Sequence, residues 1–483
     1  MAQVDPQRPG VPGDPLEKHP LIVGHHSSES FTDSLLAFVH HAPKKGFYAL
    51  LMVGLAGSGL FFFAITYTFV VGVGAWGNNM PVAWAMAITN FVWWIGIGHA
   101  GTLISAILLL FEQKWRNSIN RFAEAMTLFA VTCAGLMPVL HLGRPQYFYW
   151  LVPYPSVHRI WPQFKSALTW DIAAVGTYFT VSLLFWYLGL IPDLATARDT
   201  AKSPLAQKVY GLFALGWRGA ARHWHHWKIG YLLLGGLATP LVVSVHTIVS
   251  FDFAIAQLPG WHTTIFPPYF VAGAIFSGFA LVLTLLIPAR RALGVEHVVT
   301  RKHIDVMNKI LLVTGLVVAY GYLQEHFMAW YSGNPYEEYT FANKRTGPYS
   351  PLFWAQIFCN VLVPQLLWSP RLRQNVGVTW IVAVVVNIGM WLERFVIVVE
   401  PLSRDFLPSS WHQYSPTWVD WSILSGSICF FGTLFLLFLK FIPPIPIYEV
   451  KELQHELEEA AKEDAAWAER ATQAKAAPGE AAS

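Results

Sequence analysis

The sequence predicts an all-α, polytopic membrane protein with about ten transmembrane helices. Of its 483 residues, 54% are hydrophobic and only 13% are charged, whereas a soluble domain has about 25% charged residues. Ten apolar runs are each long enough to cross a bilayer core of about 30 Å as a helix. Because these runs are continuous rather than alternating, they do not fit the strands of an outer-membrane barrel.

The chain divides by composition into three parts. Residues 1–46 are predicted to be a cytoplasmic N-terminal tail, residues 47–440 a ten-helix transmembrane domain, and residues 441–483 a cytoplasmic amphipathic helix with a disordered end. The C-terminal helix is indicated by the helical spacing of Val450, Leu453 and Leu457. The ten runs lie near residues 47–73, 82–111, 121–143, 166–191, 228–250, 267–287, 303–330, 352–368, 377–399 and 418–440.

The loop charges predict the orientation of the helices. One set of alternate loops carries many more Lys and Arg residues than the other, and positively charged loops favour the cytoplasmic side. This places both termini in the cytoplasm and the end of the third run at the outer face.

Two ionisable residues come together at that outer level. The motif PVLHLGRP closes the third run and contains His141, and TWD opens the fourth run and contains Asp171. An ionisable residue inside a membrane span is costly and is therefore a candidate functional residue. The alternatives are an interfacial His141 facing lipid headgroups and an Asp171 that only stabilises the positive end of its helix.

The chemistry of this pair fits a proton-coupled reaction. An imidazole can hydrogen-bond a quinol hydroxyl, bind a metal or relay a proton. A carboxylate several residues inside a span can act as the general base for a weakly acidic hydroxyl. We therefore predict His141 and Asp171 as the catalytic residues.

Other ionisable residues lie inside the runs, most of them at the same outer level. They are Asp252, Arg394, His246, Glu325, His326, Glu393 and, near the middle of the second run, His99. The histidines and glutamates among them are candidates for a proton path. A structural ion pair of Arg394 with Glu393, Glu400 or Asp252 explains these charges equally well. His99 fits a hydrogen bond to a neighbouring carbonyl better than a role in proton transfer.

The chain is not expected to carry a redox cofactor or a metal of its own. Cys133, Cys359 and Cys429 lie in separate apolar runs without the spacing of a zinc or iron–sulfur site. No run carries two histidines two to four turns apart, as stacked b-type haems require. A single b-type haem, held by histidines of the outer layer, remains an alternative.

The ten-helix order, the PVLHLGRP motif and the TWD motif resemble the membrane subunits of polysulfide reductase and related NrfD-type complexes. Chain length and the two polar tails make the resemblance strongest to the larger such subunit of alternative complex III. The resemblance covers residues 47–440. It implies two four-helix bundles, made of runs 2–5 and 6–9, with peripheral helices around them.

The resemblance also implies a function. Runs 2–5 would bind menaquinol near the outer face through His141, Asp171, Asp252 and Arg394. Electrons would pass to an outer iron–sulfur subunit, and c-type cytochrome subunits and a second homologous membrane subunit would complete a respiratory or photosynthetic complex. It further implies the bacterial inner membrane, with lipid around the chain and no nucleic acid, and it leaves proton translocation open.

The residues alone are also compatible with two other functional classes. A secondary transporter would also have about ten helices, but it would place its polar residues at the membrane midplane. A purely structural anchor for peripheral subunits would leave the cost of burying Asp171 unexplained.

Overall fold

The structure is a computed structural model that describes residues 21–24, 27–142, 145–151 and 165–476. Within these residues the chain is helical and contains no β-strand. Ten helical segments are long and apolar enough to span a membrane. The predicted all-α, polytopic membrane fold is therefore confirmed.

The described helices are numbered α1 to α15. Nine of the spans are regular helices: α2 Lys45–Val71, α3 Met86–Leu110, α4 Asn120–His141, α5 Ala167–Thr200, α7 Ala221–Ala254, α8 Phe266–Leu293, α9 Arg301–Tyr331, α13 Val376–Ser403 and α14 Trp418–Phe441. The shorter helices are α1 Ser28–His40, α6 Pro204–Phe213, α10 Pro335–Thr346, α11 Ser350–Ile357 and α12 Pro370–Arg373, and the C-terminal helix is α15 Ile447–Ala476.

The remaining span, Ser350–Trp368, is irregular. It begins as α11, passes through a π-helical turn at Phe358–Leu362 and ends as a 3-10 helix at Val363–Trp368. Pro364 lies at the start of the 3-10 segment and has no backbone N–H to continue an α-helix. The break turns Asn360 toward α9, where its amide donates to the Tyr322 hydroxyl at 2.8 Å.

Helix α3 lies at the centre of the molecule. It packs against α4 and α7 on one side and against α8 and α13 on the other, while α5 closes the first group by contacting α4 and α7. Helix α8 packs on α9 and α13, and the irregular span fills the space between α9 and α13. Small residues allow the closest approaches, since Gly101 lies against the Ala123 backbone and Gly278 against Ala100.

The other elements are peripheral. Helices α2 and α14 pair with each other outside α4, and α1 lies against α14 and α15. Helix α5 continues about two turns beyond the predicted end of its run at residue 191, to Thr200. Asp193 lies within this extension, and its carboxylate is buried and paired with Arg121 at 2.9 Å.

Candidate functional site

His141 and Asp171 line a single apolar pocket. The pocket lies between α3, α4 and α5, has a volume of about 280 Å³, and is also lined by Phe148 from the segment that follows α4. Its other walls are apolar or glycine residues: Ile88, Phe91, Gly135, Pro138, Val139, Leu142, Leu168, Ile172, Val175 and Gly176. The volume is close to the lower end of small-molecule pockets, about 300–1,000 Å³. We refer to this end of the helices as the His141 end.

Local sequence explains the shape of the pocket. Pro138 lies one turn before His141 and breaks the hydrogen-bond ladder of α4 at the pocket wall. Gly135 on α4 and Gly176 on α5 also line the pocket, and a Cβ atom added at either would meet no other atom within 4 Å. The absence of these two side chains therefore leaves the space that the pocket occupies.

The His141 imidazole is held at the pocket by aromatic contacts. Its ring lies edge-on to Trp84, with 5.5 Å between the ring centroids, and Trp84 in turn lies 6.0 Å from Trp261. The Trp261 indole N–H donates to the Ile397 carbonyl at 2.6 Å. These contacts connect His141 to α13 through two indole rings and restrict the orientation of the imidazole.

Asp171 is buried and faces a second carboxyl group, that of Asp252 in the last turn of α7. The two carboxyl groups are close enough to interact directly. Among the described residues, no other group donates to either Asp171 oxygen. Two adjacent carboxylates in apolar surroundings cannot both be charged without a large cost. The pair is therefore suited to hold a proton next to the pocket.

Arg394 does not line this pocket. It is 1% exposed and pairs with Glu393 at 2.9 Å, and its guanidinium lies over the Phe270 ring at 4.1 Å from the centroid. Of the partners considered from the sequence, the structure gives Glu393 as the ion-pair partner. Glu393 also accepts a short hydrogen bond from the Tyr322 hydroxyl.

Glu325 and His326 face different surroundings, as their adjacent positions on a helix predict. Glu325 is buried, and the charges of Lys344, Glu393 and Arg394 act on it. His326 is half-buried, and its Nδ1 lies 2.8 Å from the Tyr322 carbonyl. Glu325, Glu393 and Arg394 thus form a second polar cluster, centred on α9 and α13 rather than on the pocket.

His246 lies on α7, as Asp252 does, and its ring is next to the Phe270 ring that Arg394 covers. It is fully buried on α7, with its ring 6.2 Å from Phe270 and its Cε1 near Gly96 of α3. His99 is on α3, and its side chain lies outside the described part of the structure. Of the candidate residues, the structure therefore brings His141, Asp171 and Asp252 together, and Phe270 connects His246 with Arg394.

The opposite end of the helices carries buried charges that the sequence pattern did not single out. Arg121 pairs with Asp193 at 2.9 Å, and Glu124 accepts a hydrogen bond from the Tyr231 hydroxyl at 3.2 Å. Arg116 pairs with Glu449 of α15 at 2.5 Å. Glu124 was detectable as an acid in the first turns of an apolar run, but its partners come from other helices.

The described residues contain no group of three His, Cys, Asp or Glu side chains that could hold a metal ion. The polar residues of the site are instead one imidazole and two carboxyl groups beside an apolar pocket. Such an arrangement can bind a small apolar ring that carries hydroxyl groups and can move protons to and from it.

Comparison with known proteins identifies relatives of the chain. It is 26% identical over 234 residues to a putative dimethyl sulfoxide reductase membrane subunit of Halobacterium salinarum, an alignment that spans 46% of the chain and about half, 49%, of that relative. It is 22% identical to a selenate reductase subunit of Mesobacillus selenatarsenatis, over 77% of the chain and 88% of the relative. It is 20% identical to an Hdr-like menaquinol oxidoreductase integral membrane subunit of Archaeoglobus fulgidus, over 85% and 96%.

A family model described as polysulphide reductase, NrfD, matches residues 74–403. This match includes α3 to α13, and therefore both the pocket and the Arg394 cluster. It covers more than half of the 483 residues. The chain is thus a multi-pass membrane protein that belongs to the polysulphide reductase NrfD family.

Proposed function

We propose that this chain is the quinol-binding membrane subunit of an electron-transfer complex and that menaquinol is oxidised in the pocket of His141 and Asp171. The observation that carries the proposal is the pocket itself. It is apolar except for one imidazole and one carboxyl group, both from the motifs at the ends of α4 and α5. A quinol head is an apolar ring with two hydroxyl groups and matches this chemistry.

The names of the relatives support a quinone as the substrate. One relative is named a menaquinol oxidoreductase membrane subunit, and another, the integral membrane subunit of a menaquinone reductase from Nitratidesulfovibrio vulgaris, is 29% identical over 97 residues. Because those names imply opposite directions of electron flow, the direction of the reaction in this chain is our proposal.

The chain's own residues would handle the protons. His141, oriented by Trp84, would hydrogen-bond one hydroxyl of the quinol, and Asp171 would accept the proton of the other. Asp252 lies beside Asp171 and would take that proton onward. Oxidation of menaquinol to menaquinone releases two protons and two electrons, and the protons would leave to the outer aqueous phase.

The electrons require a partner. We propose that they pass to an iron–sulfur subunit docked at the His141 end, and from there to c-type cytochrome subunits. With a second homologous membrane subunit, these would form an assembly of the alternative complex III type in a bacterial inner membrane. Proton release outside, coupled to electron delivery to an acceptor, would contribute to the proton-motive force.

The site is tested by substitution in the assembled complex. Asp171→Asn and His141→Ala are each expected to lower the rate of quinol oxidation by about 10²-fold or more, since general acid–base catalysis contributes about 10²–10⁴-fold. Asp199→Asn is the matched control, because Asp199 lies on the same helix but at its far, exposed end. Wild-type rates in both site variants would refute the assignment.

We also propose that the cluster of Glu325, Glu393 and Arg394 moves protons in addition to those of the quinol. The supporting observation is the burial of these charges beside the Tyr322 hydroxyl, away from the pocket. Complex reconstituted into vesicles should release more than the two protons per quinol of the chemical reaction. A ratio of two protons per quinol would exclude this proposal, and it would not count against the quinol site.

A further inference from the structure

An apolar groove lies near the end of the helices opposite His141. It has a volume of about 650 Å³ and is formed by the second half of α5, by α6 and by the end of α14. Its walls include Leu183, Trp186, Leu190, Leu205, Val209 and Phe441. This volume falls in the range of pockets that enclose small apolar ligands, about 300–1,000 Å³.

The groove is held open by hydrogen bonds that fix α6 to its neighbours. The Tyr210 hydroxyl donates to the Phe441 carbonyl at 2.9 Å, and the Tyr187 hydroxyl donates to the Phe213 carbonyl at 2.7 Å. Each of these tyrosines also lines the groove. The groove is therefore part of the fold rather than a gap between loosely attached segments.

Helix α6 has the character of a helix that lies in a membrane interface. None of its residues is buried, and Leu205 and Leu212 are 72% and 71% exposed. A short helix with an exposed apolar face and basic residues beside it lies in the plane of the headgroups. Because α5 begins at the His141 pocket and ends next to α6, this interface is the one opposite to the quinol site.

Lysines flank residues of the groove in the chain. Lys202 precedes the groove residue Ser203, and Lys208 precedes Val209; both lysines are exposed. Burial and the nearby charges of His41, Lys440 and Lys202 lower the pKa of His40. The Lys440 ammonium lies at the end of α1, where it donates to the Val39 carbonyl at 2.9 Å. Lys202 and Lys440 thus act on the same imidazole, and each of these two lysines is followed in the chain by a residue that lines the groove.

We propose that this groove is a binding site for an anionic phospholipid, with an acyl chain along Trp186, Val209 and Phe441 and the phosphate between Lys202 and Lys208. An acyl chain matches the apolar walls, and a negative headgroup matches the lysines. The cytoplasmic leaflet, predicted to lie on this side, is the one whose surface is negatively charged. A zwitterionic lipid would fill the groove equally well but would gain nothing from the lysines.

The test compares two lipids in the assembled complex. Delipidated complex is placed in nanodiscs with equal amounts of phosphatidylglycerol and phosphatidylcholine, re-extracted in mild detergent, and its retained lipids are counted by native mass spectrometry. Each basic side chain near an anionic headgroup is expected to contribute about a fivefold preference. The wild-type complex should therefore retain one phosphatidylglycerol that Lys202→Glu/Lys208→Glu does not retain.

Two further variants complete the test. Ala206→Trp places an indole in the groove and should remove the bound lipid whatever its headgroup. Arg291→Glu changes an exposed charge at the end of α8, away from the groove, and should behave as wild type. Equal retention of the two lipids by the wild type, or unchanged phosphatidylglycerol in both groove variants, would overturn the proposal. Since the readout is bound lipid, the result does not depend on quinol oxidation.

Discussion

At the scale of single residues, the pocket of His141 and Asp171 depends as much on absent side chains as on these two ionisable ones. Gly135 and Gly176 face open space in the pocket. Neither glycine has a positive φ angle, so the backbone conformation does not require glycine there. A larger side chain at either position would therefore occupy the pocket without straining the helix.

This gives a residue-scale prediction. Gly176→Leu should raise the KM for quinol at least about tenfold, equivalent to about 1.4 kcal/mol of binding free energy, and leave the assembly and its thermal stability intact. Steady-state kinetics of the complex would measure the effect. Gly59→Leu is the control, because Gly59 also faces open space but lies on the peripheral helix α2. An unchanged KM in Gly176→Leu would contradict the quinol site.

At the scale of elements, α15 is attached to the membrane domain by buried charges. Arg116 and Glu449 are 2% and 5% exposed. Asn120 donates to the Glu449 carboxylate at 3.1 Å, and Asp193 accepts a hydrogen bond from the Ile447 backbone N–H at 3.2 Å. Burial raises the pKa of Glu449, whereas Arg116 opposes that shift. The start of α15 is therefore fixed by an interaction that needs both partners.

Glu449→Gln should consequently release α15. Removing one partner of a buried ion pair costs about 3–5 kcal/mol, because the other charge remains buried. Limited proteolysis of the complex should then cut near residue 446, where the wild type is protected. Glu456→Gln is the matched control on the same helix, since its pair with Lys114 is about half-exposed and is worth about 0–1 kcal/mol. If Glu449→Gln is as protected from the protease as the wild type, the apolar contacts of Val450 and Leu453 are sufficient to hold α15 in place.

The elements themselves were largely predictable from the sequence, because apolar length alone identifies a transmembrane helix. The C-terminal end of α5 and the interior of the eighth span were not. The predicted run ended at residue 191, but α5 continues past Asp193, whose buried carboxylate pairs with Arg121 of another helix. The π-helical turn at Phe358–Leu362 brings Asn360 to Tyr322 of α9, and such a contact between distant parts of the chain is absent from the apolar pattern.

The candidate site was predictable in part for the same reason. Membrane depth placed His141 and Asp171 at one level, and the structure places both on one pocket. It also brings Asp252 to Asp171. Arg394 shares that level in the sequence, but the structure places it against Glu393 and Phe270. The membrane depth of a residue follows from its position along a helix. Which neighbour its side chain faces depends on how the other helices pack around that helix.

At the scale of the whole molecule, the orientation is a prediction that can be tested directly. The loop charges place the His141 end outside and both termini in the cytoplasm. A cysteine introduced as Ser409→Cys, after α13, should react with a membrane-impermeant thiol reagent in intact cells, whereas Arg291→Cys should react only in inverted vesicles. The native Cys133 and Cys359 are buried and should not react with the reagent. The reverse labelling pattern would invert the proposed side of proton release.

The central position of α3 has a consequence for the way the chain is made. The ribosome completes α3 by residue 110, but α8 ends at residue 293 and α13 at residue 403. At about 5–20 residues per second, α3 would wait about 15–60 seconds for its last packing partner. During that interval, Asn90 of α3 would lack the Trp391 indole that later donates to it at 3.0 Å. We therefore expect newly made chains to need an insertase or a membrane chaperone that shields α3 until the later spans arrive.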